Sequence, residues 1–252
     1  MQIIRFMVTN LADGGALTYS TQDTNFPATN VAHRWHTRHW RSSDGSLTSQ
    51  WLKWDLGSAQ AIKAFLLRYN NFQTGATVQI QGNASDSWGA PSYNSTLTVD
   101  NGIMYDFPSS TQTYRWWRLL ISDAGNPDNH LRVGRVYLGT YVEPDKNFHR
   151  RFRMRFRDPS ALSISEGGQI SSVKRTKFKA WGYLFDEVSK VTMQKFETMF
   201  DDKGLTGNLF VTQDADDAQE SSYYVRFATD LDWEHVLRDA YYKVKITVEE
   251  LR

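Results

Sequence analysis

Apolar and polar residues alternate along several short stretches of the first 142 residues of this chain. Residues 52–56 and 78–81 alternate in this way, with the period of two expected of β-strands that bury one face. Turn-forming sequences separate such stretches at a spacing typical of an antiparallel sandwich, at residues 43–45, 70–71, 82–83 and 126–128. No helix-length apolar periodicity interrupts them, so the first part of the chain is predicted to be all β.

The second part of the chain also reads mainly as strands. Arginine stands at every second position from 151 to 157, between Phe152, Met154 and Phe156. This alternation predicts a strand with one basic face and one apolar face. Gly167-Gly168 predicts a turn. Further strands are predicted at residues 172–183, 209–211, 223–227 and 241–251.

One helix is predicted in the second part, from Ser189 to Asp202. Ser189 is a suitable N-cap, and Gly204 is a suitable residue to end the helix. Between them, apolar residues recur at helical spacing and share one face, and they are Met193, Phe196, Met199 and Phe200.

Composition divides the chain into two parts. Seven of the nine tryptophans lie in the first 142 residues, and a proline among charged residues follows at 143–147. We therefore expect a first domain over residues 1–142, a linker at 143–147 and a second domain over residues 148–252. The 252 residues and 40% hydrophobic content are sufficient for two ordinary cores.

Charge and cysteine content limit the partners and the compartment. The formal net charge is +1, which gives no global attraction to nucleic acid. The chain has no cysteine, so neither disulfides nor thiol chemistry are available. Its first residues lack the pattern of a signal peptide, and no apolar run reaches the roughly 18 residues of a membrane span. We expect folding in a reducing cytoplasm, no membrane insertion and no nucleic-acid partner.

Three aromatic-rich segments in the first part, residues 51–57, 114–121 and 133–139, carry a family resemblance. The first ends in Asp-Leu-Gly, the second contains Arg-Trp-Trp-Arg-Leu, and the third ends in Gly. In this order they resemble the discoidin family, also called factor 5/8 type C or galactose-binding-like, over about residues 18–141. The resemblance implies an antiparallel β-sandwich of jelly-roll type, with Trp40 in its core, that binds a glycan or another surface.

Sugar recognition needs aromatic faces and planar polar groups, and in the resembled family these come from loops at one end of the sandwich. Packing within the loops is the alternative role for each candidate. The candidate glycan-binding residues are Trp35, His36, Arg38, Asn70, Asn71, Phe72 and Trp88.

His33, His36 and His39 recur every three residues, which raises the question of a metal site. Such spacing aligns side chains only in a helix, whereas the resembled family has a loop here. The family's Asp-Gly-Asp turn, which holds calcium, corresponds to His33-Arg34-Trp35, which has no carboxylate. We predict no metal and no cofactor.

The second part resembles the ring-forming domain of phage distal tail and tail-hub proteins, over about residues 148–252. The resemblance is carried by the basic strand, the helix, the acidic loop after Phe210 and the final strand that ends in Val-Glu-Glu. It implies a β-rich hub domain with one helix that assembles into a ring, hexameric by resemblance. Its implied partners are tail-tube and tail-tip proteins, and its implied location is the virion tail after assembly in the host cytoplasm.

A ring requires complementary surfaces on each subunit. The predicted subunit-interface residues are Arg151, Arg153, Arg155, Arg157, Asp214, Asp216 and Asp217. Alternatives are a nucleic-acid stripe or a solvated strand face for the arginines, and a calcium loop or a solvated turn for the aspartates.

No catalytic motif supports an enzyme: the chain has no nucleophile elbow, phosphate-binding glycine loop or His-Glu-x-x-His pair. The leading hypothesis is a structural virion protein of a phage tail tip or baseplate, whose peripheral sandwich binds host-surface glycan. The alternatives are a carbohydrate-binding lectin without a virion role and an accessory subunit of a glycan-degrading enzyme.

Overall fold

The computed structural model describes residues 3–35, 37–100, 102–149, 152–236 and 241–251. It confirms the prediction of a mainly β protein, with a sandwich followed by a β-rich second part. The first strands are β1 (Arg5–Met7), β2 (Ala16–Tyr19), β3 (Trp40–Arg41), β4 (Gln50–Ile62), β5 (Ala64–Asn70), β6 (Thr77–Asn83), β7 (Tyr93–Thr96), β8 (Ile103–Asp106), β9 (Gln112–Ser122) and β10 (Arg132–Gly139).

The remaining elements contain two helices. They are β11 (Arg153–Arg157), β12 (Ala161–Ile164), β13 (Ile170–Val173), β14 (Phe178–Ser189), α1 (Lys190–Lys203), β15 (Leu209–Thr212), α2 (Ala218–Ser221), β16 (Ser222–Phe227), β17 (Asp232–Val236) and β18 (Tyr241–Glu250). The single turn of α2 was not predicted. Among the described residues, no helix is both long and apolar enough to cross a membrane.

The sandwich packs a five-stranded sheet, in the order β2-β4-β9-β6-β7, against a four-stranded sheet, in the order β3-β10-β5-β8. Alternation explains its core, because Leu52 and Trp54 of β4 face inward and their charged neighbours face outward. Trp117 of β9 pairs with Trp54, and both rings are fully buried. Trp40 is buried in the same core, as the sequence predicted.

The first strand does not belong to the sandwich. The sequence prediction assigned residues 1–142 to one domain, but β1 pairs antiparallel with β15 of the second part, with Phe6 opposite Val211. Phe6 packs in the core of the second part, where its ring meets that of Phe196. The assignment of the N-terminal residues was therefore wrong, because a three-residue strand carries no signal for its distant partner.

The second part is a seven-stranded sheet covered on one face by α1. Its order is β1-β15-β16-β18-β14-β11, and β17 also pairs with β18. The predicted ends of α1 are confirmed: the Ser189 hydroxyl accepts the Thr192 N–H, and Gly204 follows the last turn at a positive φ of 48°. Phe196 on the inner face of α1 contacts Phe185 of β14 at 5.0 Å between ring centroids.

The apolar face predicted for residues 152–156 is not buried. Strand β11 is the last strand of the sheet, and all five of its residues are exposed, including Phe156 at 67%. The hairpin of β12 and β13 is exposed along its whole length, and Gly168 occupies its turn at a φ of 78°. Strand alternation identified β11, but it does not show whether the apolar face is covered, and in the described chain this face is exposed.

A third apolar cluster joins the two parts. Strand β5 is buried on both faces, because Phe65 and Leu67 enter the sandwich core while Leu66 faces the second part. There Leu66 belongs to a cluster with Met7 and Phe210, which lie on the outward face of β1 and β15. The sandwich therefore lies with the outer face of its smaller sheet against the second sheet.

The predicted linker is fixed to the second part. Arg5 donates to Glu143 at 2.9 Å, and β1 exchanges backbone hydrogen bonds with Val142. The Asp145 carboxylate accepts the N–H of Ser189 at 3.0 Å. Residues 143–147 are thus anchored at several points although they lack an apolar run.

Candidate functional site

Three loops meet at one end of the sandwich. The start of β4 lies beside the end of β9, with Gln50 opposite Ile121, and the start of β6 lies there too, with Thr77 opposite Ser122. The segments that precede or follow these points must therefore gather at the same end. They are residues 20–49, 71–76 and 123–131.

Asn71 holds two of these loops together. Its Nδ2 donates to the backbone oxygen of His130 at 2.9 Å and to Asp128 Oδ2 at 3.0 Å. Its Oδ1 accepts the Arg132 N–H at 2.8 Å. Since both ends of the amide are occupied, the structure gives Asn71 a positioning role in place of the predicted ligand contact.

Asn70 and Phe72 are also occupied within the fold. Asn70 Nδ2 donates to the backbone oxygen of Asp100 at 2.8 Å, and its Oδ1 accepts the Phe72 N–H at 3.0 Å. The Phe72 ring is 3% exposed and belongs to the sandwich core. The prediction that Phe72 contacts a ligand was wrong, because its apolar ring is more stable in the core than in a loop.

Trp35, within the segment of residues 20–49, is an exposed aromatic side chain. It is 49% exposed, and the guanidinium carbons of Arg34 and Arg38 lie 5.2 Å and 5.7 Å from its ring. The His33 ring lies 5.2 Å away at 55°. Arg34 and Arg38 are both exposed, and neither forms an ion pair with another described residue. Their N–H groups are therefore available to a ligand placed on the indole.

His33 is held in its neutral form. Its Nδ1 accepts the Trp35 N–H at 3.2 Å, which requires an unprotonated nitrogen. Partial desolvation lowers the pKa of His33 below its usual value, and the nearby Arg38 and Arg34 cations lower it further. Near neutral pH the second ring nitrogen is then a hydrogen-bond donor beside Trp35.

A second aromatic group lies on the same loop. The His39 ring stacks on Phe26 at 4.8 Å and lies 5.5 Å from the ring of Tyr69. Burial lowers the pKa of His39, and the Arg132 charge adds to this effect, although a hydrogen bond with the Thr37 carbonyl opposes it. Sequence reasoning did not assign Phe26, Tyr69 or Arg132, because their proximity depends on pairing between distant strands.

The remaining predicted glycan residues lie elsewhere. Trp88 follows β6 at the strand end opposite the loops, about 20 Å along a seven-residue strand. There its Nε1 donates to Asp86 and its ring lies 4.4 Å from the Arg118 guanidinium. Trp88 is therefore not part of the loop site, contrary to the prediction. His36 lies outside the described residues.

The predicted interface residues lie at two separate places on the second sheet. Arg153, Arg155 and Arg157 project from β11, and Arg157 forms an ion pair with Glu249 at 3.4 Å. The predicted acidic residues lie at the connection of β15 and β16, on the other side of the sheet, and they are Asp214, Asp216 and Asp217. Arg151 lies outside the described residues.

The described residues contain no cluster of metal ligands. Among them, no group of three or more His, Asp or Glu side chains is arranged to hold a metal ion.

No protein-family model matches the chain. No curated protein matches it either. Among solved structures, chitosan-binding module 1 of a chitosanase/glucanase from Paenibacillus sp. IK-5 is similar at 23% identity and a TM-score of 0.43, over 52% of this chain and 98% of that one. The family 32 carbohydrate-binding module of NanJ from C. perfringens, solved with galactose, is similar at 12% identity and a TM-score of 0.44, over 54% and 98%. The lectin domain of lectinolysin, solved with Lewis B antigen, is similar at 14% identity and a TM-score of 0.43, over 52% and 96%.

Proposed function

We propose that this protein binds carbohydrate at the loop end of its sandwich. The observation that carries the proposal is the half-exposed indole of Trp35, with the guanidinium carbons of Arg34 and Arg38 at 5.2 Å and 5.7 Å from its ring. An indole face receives the apolar face of a sugar ring, and planar guanidinium groups donate to adjacent hydroxyls. Three side chains thus provide both kinds of contact that a saccharide needs.

The surroundings of Trp35 add a hydrogen-bond donor for a sugar and hold the loops in place. His33 is neutral near pH 7 and contributes a donor without a charge, while Asn71 and its partners hold the loops in place. A fixed loop reduces the entropy lost on binding. One aromatic platform with a few hydrogen bonds supports weak binding, on the order of 1 mM or about 4 kcal/mol.

The test is a direct binding measurement with neutral oligosaccharides. Galactose- or fucose-containing glycans are practical first ligands, because modules with such ligands share the general fold. NMR titration of the full chain is suited to millimolar affinity. We expect Trp35→Ala to weaken binding at least tenfold.

The matched control is Trp233→Ala, since Trp233 is a similarly exposed indole, at 43%, in the second part. It should leave binding of neutral glycans unchanged. Equal losses in both variants, or no binding across a broad panel of neutral glycans, would count against the loop site.

A second candidate function is a structural role in a phage tail tip, with the second part forming a ring. The observation that favours it is the exposed apolar surface of the β12–β13 hairpin, where Leu162, Ile164 and Ile170 are each about 70% exposed. Such a surface is typical of a contact with another chain. The predicted basic residues on β11 and the predicted acidic residues at the β15–β16 connection are far apart on the sheet, which suits a head-to-tail contact that closes into rings. Tail-tube and tip proteins would be the partners.

Light scattering coupled to size exclusion tests this role. Ile164 and Ile170 face each other across the hairpin, and Ser163 and Ser171 face each other on its opposite side. If the apolar side mediates assembly, Ile164→Lys with Ile170→Lys should give monomers, whereas Ser163→Lys with Ser171→Lys should leave the assembly intact. A wild-type protein that remains monomeric at high concentration and with tail-tube protein would exclude the ring.

A further inference from the structure

A groove crosses the solvent face of the second sheet, opposite the face covered by α1. Its volume is about 590 Å³. Strand β11 forms one wall, the β17–β18 hairpin forms the other, and β14 and β18 form the floor. A cleft of this size holds a ligand of a few rings. The sandwich contributes no residue to it, so it is independent of the loop site around Trp35.

Five cationic side chains line the groove. Arg153, Arg155 and Arg157 project from the β11 wall, and Lys243 and Lys245 project from the floor. Side chains two positions apart on a strand are about 6.7 Å apart, so the three guanidinium groups form a row. Two carboxylates, Asp232 and Glu234, lie on the other wall, which leaves the lining with an excess of three positive charges.

Internal ion pairs neutralise only part of this charge. Lys243 contacts Glu234 at 2.8 Å, and Arg157 contacts Glu249 at 3.4 Å. No carboxylate of the described residues is within ion-pair distance of Arg153, Arg155 or Lys245. Like charges on neighbouring strand positions repel each other, so an anion between the three would relieve this repulsion.

The far wall adds polar groups for a sugar. Asp232 lies opposite Lys245 in the strand register and Glu234 lies opposite Lys243, so both carboxylates face the groove. Trp233 lies between them, opposite Val244, and its indole meets the ring of Tyr242 at 5.5 Å on the face of the sheet that α1 covers. Asp232 and the hydroxyl of Thr229 are acceptors for ligand hydroxyl groups.

We propose that this groove binds an acidic saccharide chain, whose carboxylate or phosphate groups pair with Arg153, Arg155 and Lys245. Its hydroxyls donate to Asp232 and to the hydroxyl of Thr229. A nucleic acid fits less well, because its dense phosphates would meet Asp232 and Glu234, and the chain's net charge of +1 provides no wider attraction. The acidic loop of a second copy would bring carboxylates against the same two acidic residues.

Affinity electrophoresis of the full chain in gels containing a polysaccharide tests the proposal. The probes are polygalacturonate, which carries carboxylates, a glycerol-phosphate teichoic acid, which carries phosphates, and neutral dextran as the control. We expect retardation by at least one acidic polymer and none by dextran. The preferred acidic polymer identifies which anionic group the groove takes.

Two variants locate the binding. Arg153→Gln with Arg155→Gln should reduce the affinity for the acidic polymer at least tenfold, whereas Trp233→Ala, whose indole lies on the opposite face of the sheet, should leave it unchanged. The matched control is Lys190→Gln with Lys195→Gln, which removes the same charge from exposed positions of α1 and should retain binding. Circular dichroism melting curves verify that each variant is folded. An equal loss of affinity in the α1 variant would overturn the proposal, because it would show that binding depends only on the net charge of the protein.

Two further measurements exclude the other occupants. Tighter binding of a single-stranded thymidine oligomer than of either acidic polysaccharide would overturn the proposal in favour of nucleic acid. Self-association that is abolished both by the Arg153/Arg155 variant and by Asp216→Asn with Asp217→Asn would assign the groove to a second copy. If the Trp35→Ala variant is retarded as strongly as the wild type, the groove is separate from the loop site. The two binding proposals can then be supported or rejected independently.

Discussion

Tyr69 adopts a left-handed backbone conformation, with a φ of 66°, directly beside Gly134 of the neighbouring strand. A Cβ atom at Gly134 would lie 2.8 Å from the Tyr69 Cβ and 2.7 Å from the Arg68 carbonyl oxygen. Only glycine allows the two backbones to approach so closely, and this approach directs Tyr69 toward His39 at the loop end.

The first prediction follows from this contact. Gly134→Ala should destabilise the protein by about 1–3 kcal/mol, because the added methyl group meets backbone on one side and Cβ on the other. Gly182→Ala is the matched control, since Gly182 is also a strand glycine but has no atom within 4 Å of the added carbon. Urea unfolding measures both. Equal stability of the two variants would contradict the close approach.

The second prediction concerns the sandwich core. Trp54→Ala should cost about 3–5 kcal/mol, because the fully buried ring leaves a cavity between the two sheets. Trp51→Ala, three positions earlier on the outward face of β4, should cost much less. Thermal unfolding of the full chain compares them. If Trp51→Ala is the more damaging change, the inward and outward faces of β4 are reversed.

The third prediction concerns β1. Phe6→Ala should destabilise the second part by about 3–5 kcal/mol, because Phe6 is fully buried against Phe196 and Tyr183. Hydrogen exchange should show lost protection at β15 and α1 but retained protection at β4 and β9. A fragment of residues 143–252 should fold poorly, and fusing residues 1–8 to it should restore folding. Unchanged protection at β15 would contradict the pairing.

The fourth prediction concerns pH. The pKa values of His33, His39 and His130 are all lowered, in each case chiefly by desolvation. Below the ordinary pKa of about 6.5 the unfolded chain binds protons that the folded chain does not, so stability is constant above this pH and falls as the pH decreases below it. The melting temperature should decrease between pH 6.5 and 5.5, and His39→Gln should flatten this decrease. A melting temperature that rises on acidification would contradict the prediction.

Local patterns predicted local structure well. Ser189 and Gly204 mark the ends of α1 because caps act on the backbone of their own turn. The alternation around Trp54 and in the final strand predicted β4 and β18 for a similar reason, since side chains change face at each residue.

Features that depend on distant partners were missed. Phe6 pairs with Val211, more than two hundred residues away in the sequence, and nothing in a three-residue strand specifies this partner. The exposure of Phe156 depends on the position of β11 at the end of a sheet, which alternation does not report. At the candidate site, Trp35 was identified by its residue type. The position of the Tyr69 side chain depends on a left-handed backbone conformation, which no sequence pattern predicted.

The pairing of β1 with β15 has a mechanical consequence. The chain enters the sandwich from β1 and returns beside it, where Phe6 bridges Val142 and Asn10 bridges Gly139. A pull on a ligand held near Trp35 would thus load two adjacent chain segments in parallel. The backbone hydrogen bonds between β1 and β15 would share this force, whereas a single connecting peptide would bear all of it. The sandwich is thus held to the second part by two adjacent chain segments in addition to the apolar contact around Leu66.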